Sequence, residues 1–143
     1  TDKIGFVGAS PLIFTSTLRE NILYGNKENI NDEEIYDQLN KFKTFNEKGS
    51  YDLDRVIDNK SLSSGQTQKI AFIRALLMDI DILLLDESTA NLDDVSKDLI
   101  FEILKKNEIT IVNSTHDFEK FETSDHHINI RVSDESRSLE FYK

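Results

Sequence analysis

The sequence predicts an α/β domain with a mostly parallel sheet, and three observations carry that reading. From residue 63 onward, helical and strand patterns alternate. The strand patterns at 82–85 and 109–113 are largely apolar, as strands buried on both faces of a parallel sheet are. Polar residues able to do chemistry follow both runs directly, at the strand ends where open parallel sheets hold ligands.

The elements follow in chain order. Residues 3–7 alternate weakly and read as a short strand, and Pro11 stops its continuation. Residues 15–22 can open a short helix. Residues 31–45 place Ile35, Leu39 and Phe42 at helical spacing, with Asn31 or Asp32 as the cap and acidic residues in the first turn. Residues 46–61 are polar and read as loop. The clearest helix covers 63–79, where Ile70, Ile73 and Leu77 form a stripe widened by Leu76. Another spans 93–106, with Val95, Leu99, Ile103 and Leu92 expected on its apolar face. Residues 127–132 and 139–142 read as strands near an edge.

Composition bounds the function. With 143 residues the chain can build one domain with a sizeable core. Hydrophobic residues at 38% and charged residues at 31% are ordinary for a globular protein and exclude a disordered one. Apolar runs such as Ile82-Leu83-Leu84-Leu85 fall far short of the ~18 residues a membrane span needs, so a membrane role is expected to come through a partner. A net charge of −10, spread along the chain, leaves no broad basic surface, and no nucleic acid is expected as partner. The absence of cysteine excludes disulfides and thiol chemistry. No signal peptide pattern is seen. The chain starts with Thr1 rather than Met, and is expected to be a piece of something longer.

Three clusters can carry chemistry, and each has a plain structural alternative. Asp86 and Glu87 end the apolar run at 82–85: Asp86 can hold Mg²⁺ and Glu87 can orient or deprotonate a water, or the pair simply ends a strand. Leu62-Ser63-Ser64-Gly65-Gln66 precedes the best helix, whose free N–H groups suit phosphate; equally, Ser63 or Ser64 can be an ordinary cap. Ser114-Thr115-His116-Asp117 follows the second strand, and His116 can meet a γ-phosphate or hold an attacking water, or be structural. The adjacent His126 and His127 point to opposite faces of a strand and read as structural.

Together these segments resemble the nucleotide-binding domain of ABC transporters. Leu62-Ser63-Ser64-Gly65-Gln66 resembles the Leu-Ser-Gly-Gly-Gln signature, and Ile70 to Leu76 the helix that follows it, ending in Arg-Ala-Leu. Residues 82–87 resemble the Walker B strand with its catalytic glutamate, residues 88–93 the D-loop, and Ser114-Thr115-His116 the switch-histidine segment. Pro11-Leu12-Ile13-Phe14 with residues 17–22 is similar to the stretch after the Q-loop of exporter-type members.

The resemblance implies a partial P-loop NTPase (ABC ATPase) fold, with a helical signature subdomain at about 15–75 and part of the core at about 80–143. It implies ATP and Mg²⁺, a second ABC ATPase domain paired head to tail, the transmembrane domain of an exporter, and a place on the cytoplasmic face of a membrane. Glu87 and His116 would be catalytic and Asp86 would hold the metal. The set Ser63, Ser64, Gly65 and Gln66 would meet the nucleotide of the partner, and Asp93 would cross the interface. The 15–61 stretch would begin with the part that meets the coupling helices of the membrane domain.

The chain departs from the pattern in three places. No Gly-x-x-x-x-Gly-Lys-Ser/Thr occurs, so the loop that cradles the β- and γ-phosphates is missing, as is the adenine-stacking aromatic upstream of it; truncation fits this better than degeneration, and the chain by itself should bind ATP poorly. Ala9 stands at the Q-loop glutamine, with Ser10 as the nearest polar substitute. Ser64 replaces the first signature glycine and should be tolerated at a helix start, while the exporter-type acidic motif before the signature is not recognisable in residues 56–60. Two other readings compete with an exporter ATPase. One is a non-catalytic half that only donates its signature. The other is a chromosome or DNA-repair ATPase, against which the lack of heptads and the acidic charge both speak. Without the strands that normally precede it, the sheet should show uncovered apolar faces, and self-association is expected.

Overall fold

The computed structural model describes residues 3–26, 29–46, 51–116, 126–132 and 137–142. Three strands form the central sheet: β1 (Ile4–Gly8), β4 (Ile82–Asp86) and β5 (Thr110–Ser114), in the order β1-β4-β5. Both pairings are parallel and in step, so Gly8, Asp86 and Ser114 finish side by side. That register follows from the side-chain alternation of strands: a one-residue slip would turn Leu83 and Leu85 out of the core.

The helices are α1 (Leu18–Leu23), α2 (Asp32–Lys41), α3 (Ser64–Leu77) and α4 (Asp94–Lys105). Each starts on a side-chain cap that accepts a first-turn N–H: Thr17, Asn31, Ser63 and Asp93. Helix α2 stops sooner than the spacing of Phe42 suggests. Lys43 adopts φ 47°, and the N–H groups of Lys43 and Thr44 turn back to the carbonyls of Asn40 and Leu39, a Schellman ending built on lysine instead of the usual glycine.

Helix α3 is the centre of the core. Ile70, Ala71, Phe72, Ile73 and Ala75 are buried, so it is covered around more of its circumference than the expected stripe, with Leu76 and Leu77 only half-buried. Phe72 stacks with Phe42, ring centroids 6.4 Å apart. A Cβ added to Gly5 would lie 2.8 Å from Ile80 Cδ1, so the bare backbone lets β1 approach this layer.

Three expectations are corrected. Strands β4 and β5 are not buried on both faces. Leu83 and Leu85 face the core, but Leu84 is exposed beside Phe6 (64% exposed) and Val112 (54%), so one face of the sheet is open and apolar. The buried residues of α4 are Ser96, Ile100 and Leu104; of the expected face Leu92 is buried just before the helix and Ile103 packs half-buried against the core, but Val95 is 78% exposed, so packing turns the helix away from the Val95 side. Finally, the polar 46–61 stretch contains a two-residue strand, β3 (Val56–Ile57), which pairs antiparallel with β2 (Ser16–Thr17).

The expected edge strands form a hairpin of β6 (His127–Val132) and β7 (Arg137–Tyr142). Ile128, Ile130, Leu139 and Phe141 are exposed on it. His126 is exposed, and Asp117 lies outside the described residues.

Candidate functional site

The candidate residues fall into two groups of side chains. The first sits where the parallel strands end. Asp86 closes β4, exposed, with Gly8 and Ser114 as its in-register neighbours. Glu87 leaves the strand at φ 49°, in the left-handed region that non-glycine residues seldom occupy. Its N–H donates to Ser114 O at 2.9 Å, and a turn closes behind it as Ala90 N–H donates to the Glu87 carbonyl. This backbone turn aims the Glu87 carboxylate back across the strand ends, where Oε1 lies 3.3 Å from His116 Nε2. The His116 side chain is 95% exposed and that of Glu87 29%. Strain of this kind concentrates at functional sites.

Among the described residues, no three His, Cys, Asp or Glu side chains gather into a ready metal cage. The cation expected at Asp86 is a hard one: Mg²⁺ keeps several waters and takes one or two carboxylates together with substrate phosphates. Asp86, at an exposed strand end, fits such a role.

The second group is the start of α3. Ser63 Oγ accepts from Gln66 N–H at 3.1 Å, and Gln66 Oε1 accepts from Ser63 N–H at 2.9 Å, a reciprocal capping box. Ser63 is therefore the helix cap, and its hydroxyl proton and the Gln66 amide nitrogen remain able to donate. Ser64 is the first helical residue and is exposed; Gly65 follows. A Cβ on Gly65 would meet Leu92 at 3.7 Å, an ordinary contact, so nothing among the described residues requires glycine there.

Asp93 serves its own helix. Its carboxylate accepts from Ser96 N–H at 2.8 Å and from Ser96 Oγ at 3.1 Å. The Ser96 N–H holds its pKa below the ordinary range, and the Lys69 charge adds to this. Lys69 in turn is lowered by burial, with Asp93 opposing, and donates to Lys43 O at 3.2 Å.

Three anchoring residues carry no role in the sequence reading, although Arg74 and Asn21 lie inside the quoted motifs and Gln68 falls between two of them. Gln68, buried on α3, donates to Gly8 O at 3.0 Å and fixes the end of β1. Arg74 donates through Nε to Asn21 O at 2.8 Å and through both terminal nitrogens to Leu12 O. Asn21, fully buried, accepts from Phe14 N–H and donates to the Phe14 and Thr17 carbonyls. These groups position the 9–14 loop, whose Ala9 carbonyl accepts a long 3.5 Å bond from Asn91.

A parallel three-stranded sheet with helices in the same chain defines the class of α/β proteins. The comparisons narrow the class. The family model for the ABC transporter matches residues 1–90. The chain is 36% identical over 132 residues to "ATP-dependent permease MDL1" of Candida albicans, covering 86% of the chain and 19% of that protein. It is 42% identical over 106 residues to the "Alpha-factor-transporting ATPase" of Saccharomyces cerevisiae, covering 73% of the chain and 8% of that protein. Over 141 residues, 96% of the chain, it is 35% identical to "Lactococcin-A transport/processing ATP-binding protein LcnC" of Lactococcus lactis, of which it spans 19%. In structure it is similar to a bacterial Atm1-family ABC exporter with ATP bound, at a TM-score of 0.75 and 23% identity over 86% of the chain and 22% of that one. The chain belongs to the ABC transporter family, with exporter-type members among its relatives, and it spans less than a quarter of the length of each of these. None of the helices in the described residues is long and apolar enough to cross a membrane.

Proposed function

We propose that this chain is the signature-bearing and Walker B part of an ATPase that powers an ABC exporter. The observation that carries the reading is the strained Glu87, held 3.3 Å from His116 and directly after Asp86 at the strand ends. Glu87 orients and deprotonates the attacking water, and His116 holds the Glu87 carboxylate and meets the γ-phosphate. Mg²⁺ at Asp86, when bound, offsets the negative charge of the phosphates. Ser63, Ser64, Gly65 and Gln66 face a nucleotide held by a second ABC domain paired head to tail, and the room for a Cβ at Gly65 supports this, since the demand for glycine then comes from the approaching phosphate. Asp93 sits at that interface. Residues 15–75 act as the helical subdomain and 80–143 as core. Exposed Leu12 and Tyr24, with Phe14 packed 4.4 Å from the Tyr24 ring, offer the face that meets the exporter's transmembrane domain, on the cytoplasmic side of the membrane. The chain alone is inactive, because it carries no phosphate-cradling loop.

Ala9 favours a second reading, a half that donates its signature without hydrolysing ATP. Mg·ATP titration calorimetry, on this chain and on one extended upstream by about one P-loop βα unit, separates the two. Binding by the extended chain only is the expected result. Binding by neither would put the passive half ahead.

A further inference from the structure

Asp86 takes its aim from its backbone. It is exposed, and among the described residues no hydrogen bond fixes its carboxylate. Where that side chain stands is therefore set by the end of β4, which lies between two in-register neighbours, Ser114 on β5 and Gly8 on β1. The β5 side is fastened just past the strand, where Glu87 N–H donates to Ser114 O at 2.9 Å. The β1 side is harder to hold. It ends in a glycine, the residue with the most conformational freedom, and Pro11 bars the strand from continuing. Beyond the ladder with β4, two side chains among the described residues reach this end. Asn91 donates to Ala9 O at 3.5 Å, at the outer limit of a hydrogen bond. Gln68 Nε2 donates to Gly8 O at 3.0 Å, an ordinary bond.

The position of Gln68 gives that bond its meaning. The residue is 2% exposed, so water cannot easily replace Gly8 as its partner, and the bond is costly to lose. Gln68 lies one helical turn after Gly65, so the helix that begins at Ser63 also grips the strand beside Asp86. A brace for the fold alone would serve at any point along β1. This one closes on the residue in register with Asp86. We propose that Gln68 is a positioning residue for the metal end of the site: by holding the Gly8 carbonyl it keeps the end of β1 beside Asp86, and so fixes where the Asp86 carboxylate stands to meet Mg²⁺. That cation demands near-ideal octahedral geometry, so a small displacement of one carboxylate weakens its binding. The inference rests on the reading of Asp86 as the metal residue.

The test is titration calorimetry on the full polypeptide that carries this chain, with Glu87→Gln present throughout to halt hydrolysis. Two affinities are measured, for ATP with Mg²⁺ and for ATP with the metal chelated, and their ratio reads the contribution of the metal. Gln68→Met keeps the length of the side chain and removes the donor. It should lower that ratio about two- to tenfold, the factor that one hydrogen bond supports, with metal-free binding unchanged. Gln68→Asn keeps a donor that falls a methylene short, and should move the ratio the same way. An unchanged ratio in both variants overturns the proposal. So does an equal weakening of the two affinities, or the loss of all binding in both variants, since either would make Gln68 a brace for the fold only. Asp86→Asn separates the layers. If it abolishes the gain from Mg²⁺ while Gln68→Met leaves that gain intact, only the positioning role falls; if it leaves the gain intact too, the metal reading of Asp86 falls and takes the inference with it.

Discussion

At the start of α3, Ser63 and Gln66 satisfy each other's backbone N–H groups, and the helix behind them is buried over most of its circumference. At the end of β4, Glu87 stands in the left-handed region, and its partner His116 is almost wholly exposed. The first region is finished by local chemistry and waits only for something to approach it. The second is held by backbone strain and one long contact. On the proposed function, a site shared between two domains would use both kinds: a rigid donor surface on one side and a switchable acid–base group on the other.

The sharpest way to break this comparison is at Glu87 itself. Glu87→Gln should cut phosphate release about 10²- to 10⁴-fold in the paired enzyme, with the folding midpoint unmoved; a small loss of rate would return Glu87 to a mere strand end. Stability should then move in opposite directions on the two sides. Ser63→Ala loses a cap and should cost about 1 kcal/mol in a urea titration. Glu87→Gly relieves a left-handed residue and should gain about 0.5–1 kcal/mol, minus the contact with His116. Equal signs would mean the strained turn is no more strained than the cap. The smallest effect is in acid. Glu20, Asp58 and Asp93 all have pKa values held low, by the Ser16 hydroxyl and Thr17 N–H, the Ser61 and Lys60 N–H groups, and the Ser96 N–H respectively. Their stabilisation is present above the unfolded value of about 4 and is lost as pH falls through the lower folded values. Urea midpoints should therefore drop on that limb, and Asp58→Asn should make the drop shallower.

Much of this architecture is legible in the sequence, for identifiable reasons. The start of α3 is local: a serine, then a glutamine three residues on, then an apolar run. Strand β4 is announced by its apolar run and by the acids that end it. What is not legible depends on distant partners. Gln68 and Arg74 bond to backbone carbonyls some 50 or more positions away, and no spacing rule encodes that. The pairing of β2 with β3 is likewise a non-local bridge between two-residue segments. Helix α4 carries adjacent apolar rows, one through Val95, Leu99 and Ile103 and one through Ile100 and Leu104, and only its neighbours set how far each is buried. Sheet burial misleads for a related reason: an apolar run reports that both faces can be covered, and here one of them is open along Phe6, Leu84 and Val112.

That open face changes what stability means for this chain. Apolar surface that another molecule can cover adds a mass-action term to the folded state, so the melting midpoint should climb with protein concentration instead of being a constant of the sequence. Dilution then acts as a mild denaturant, and the sheet's resilience is a property of its surroundings as much as of its own strands.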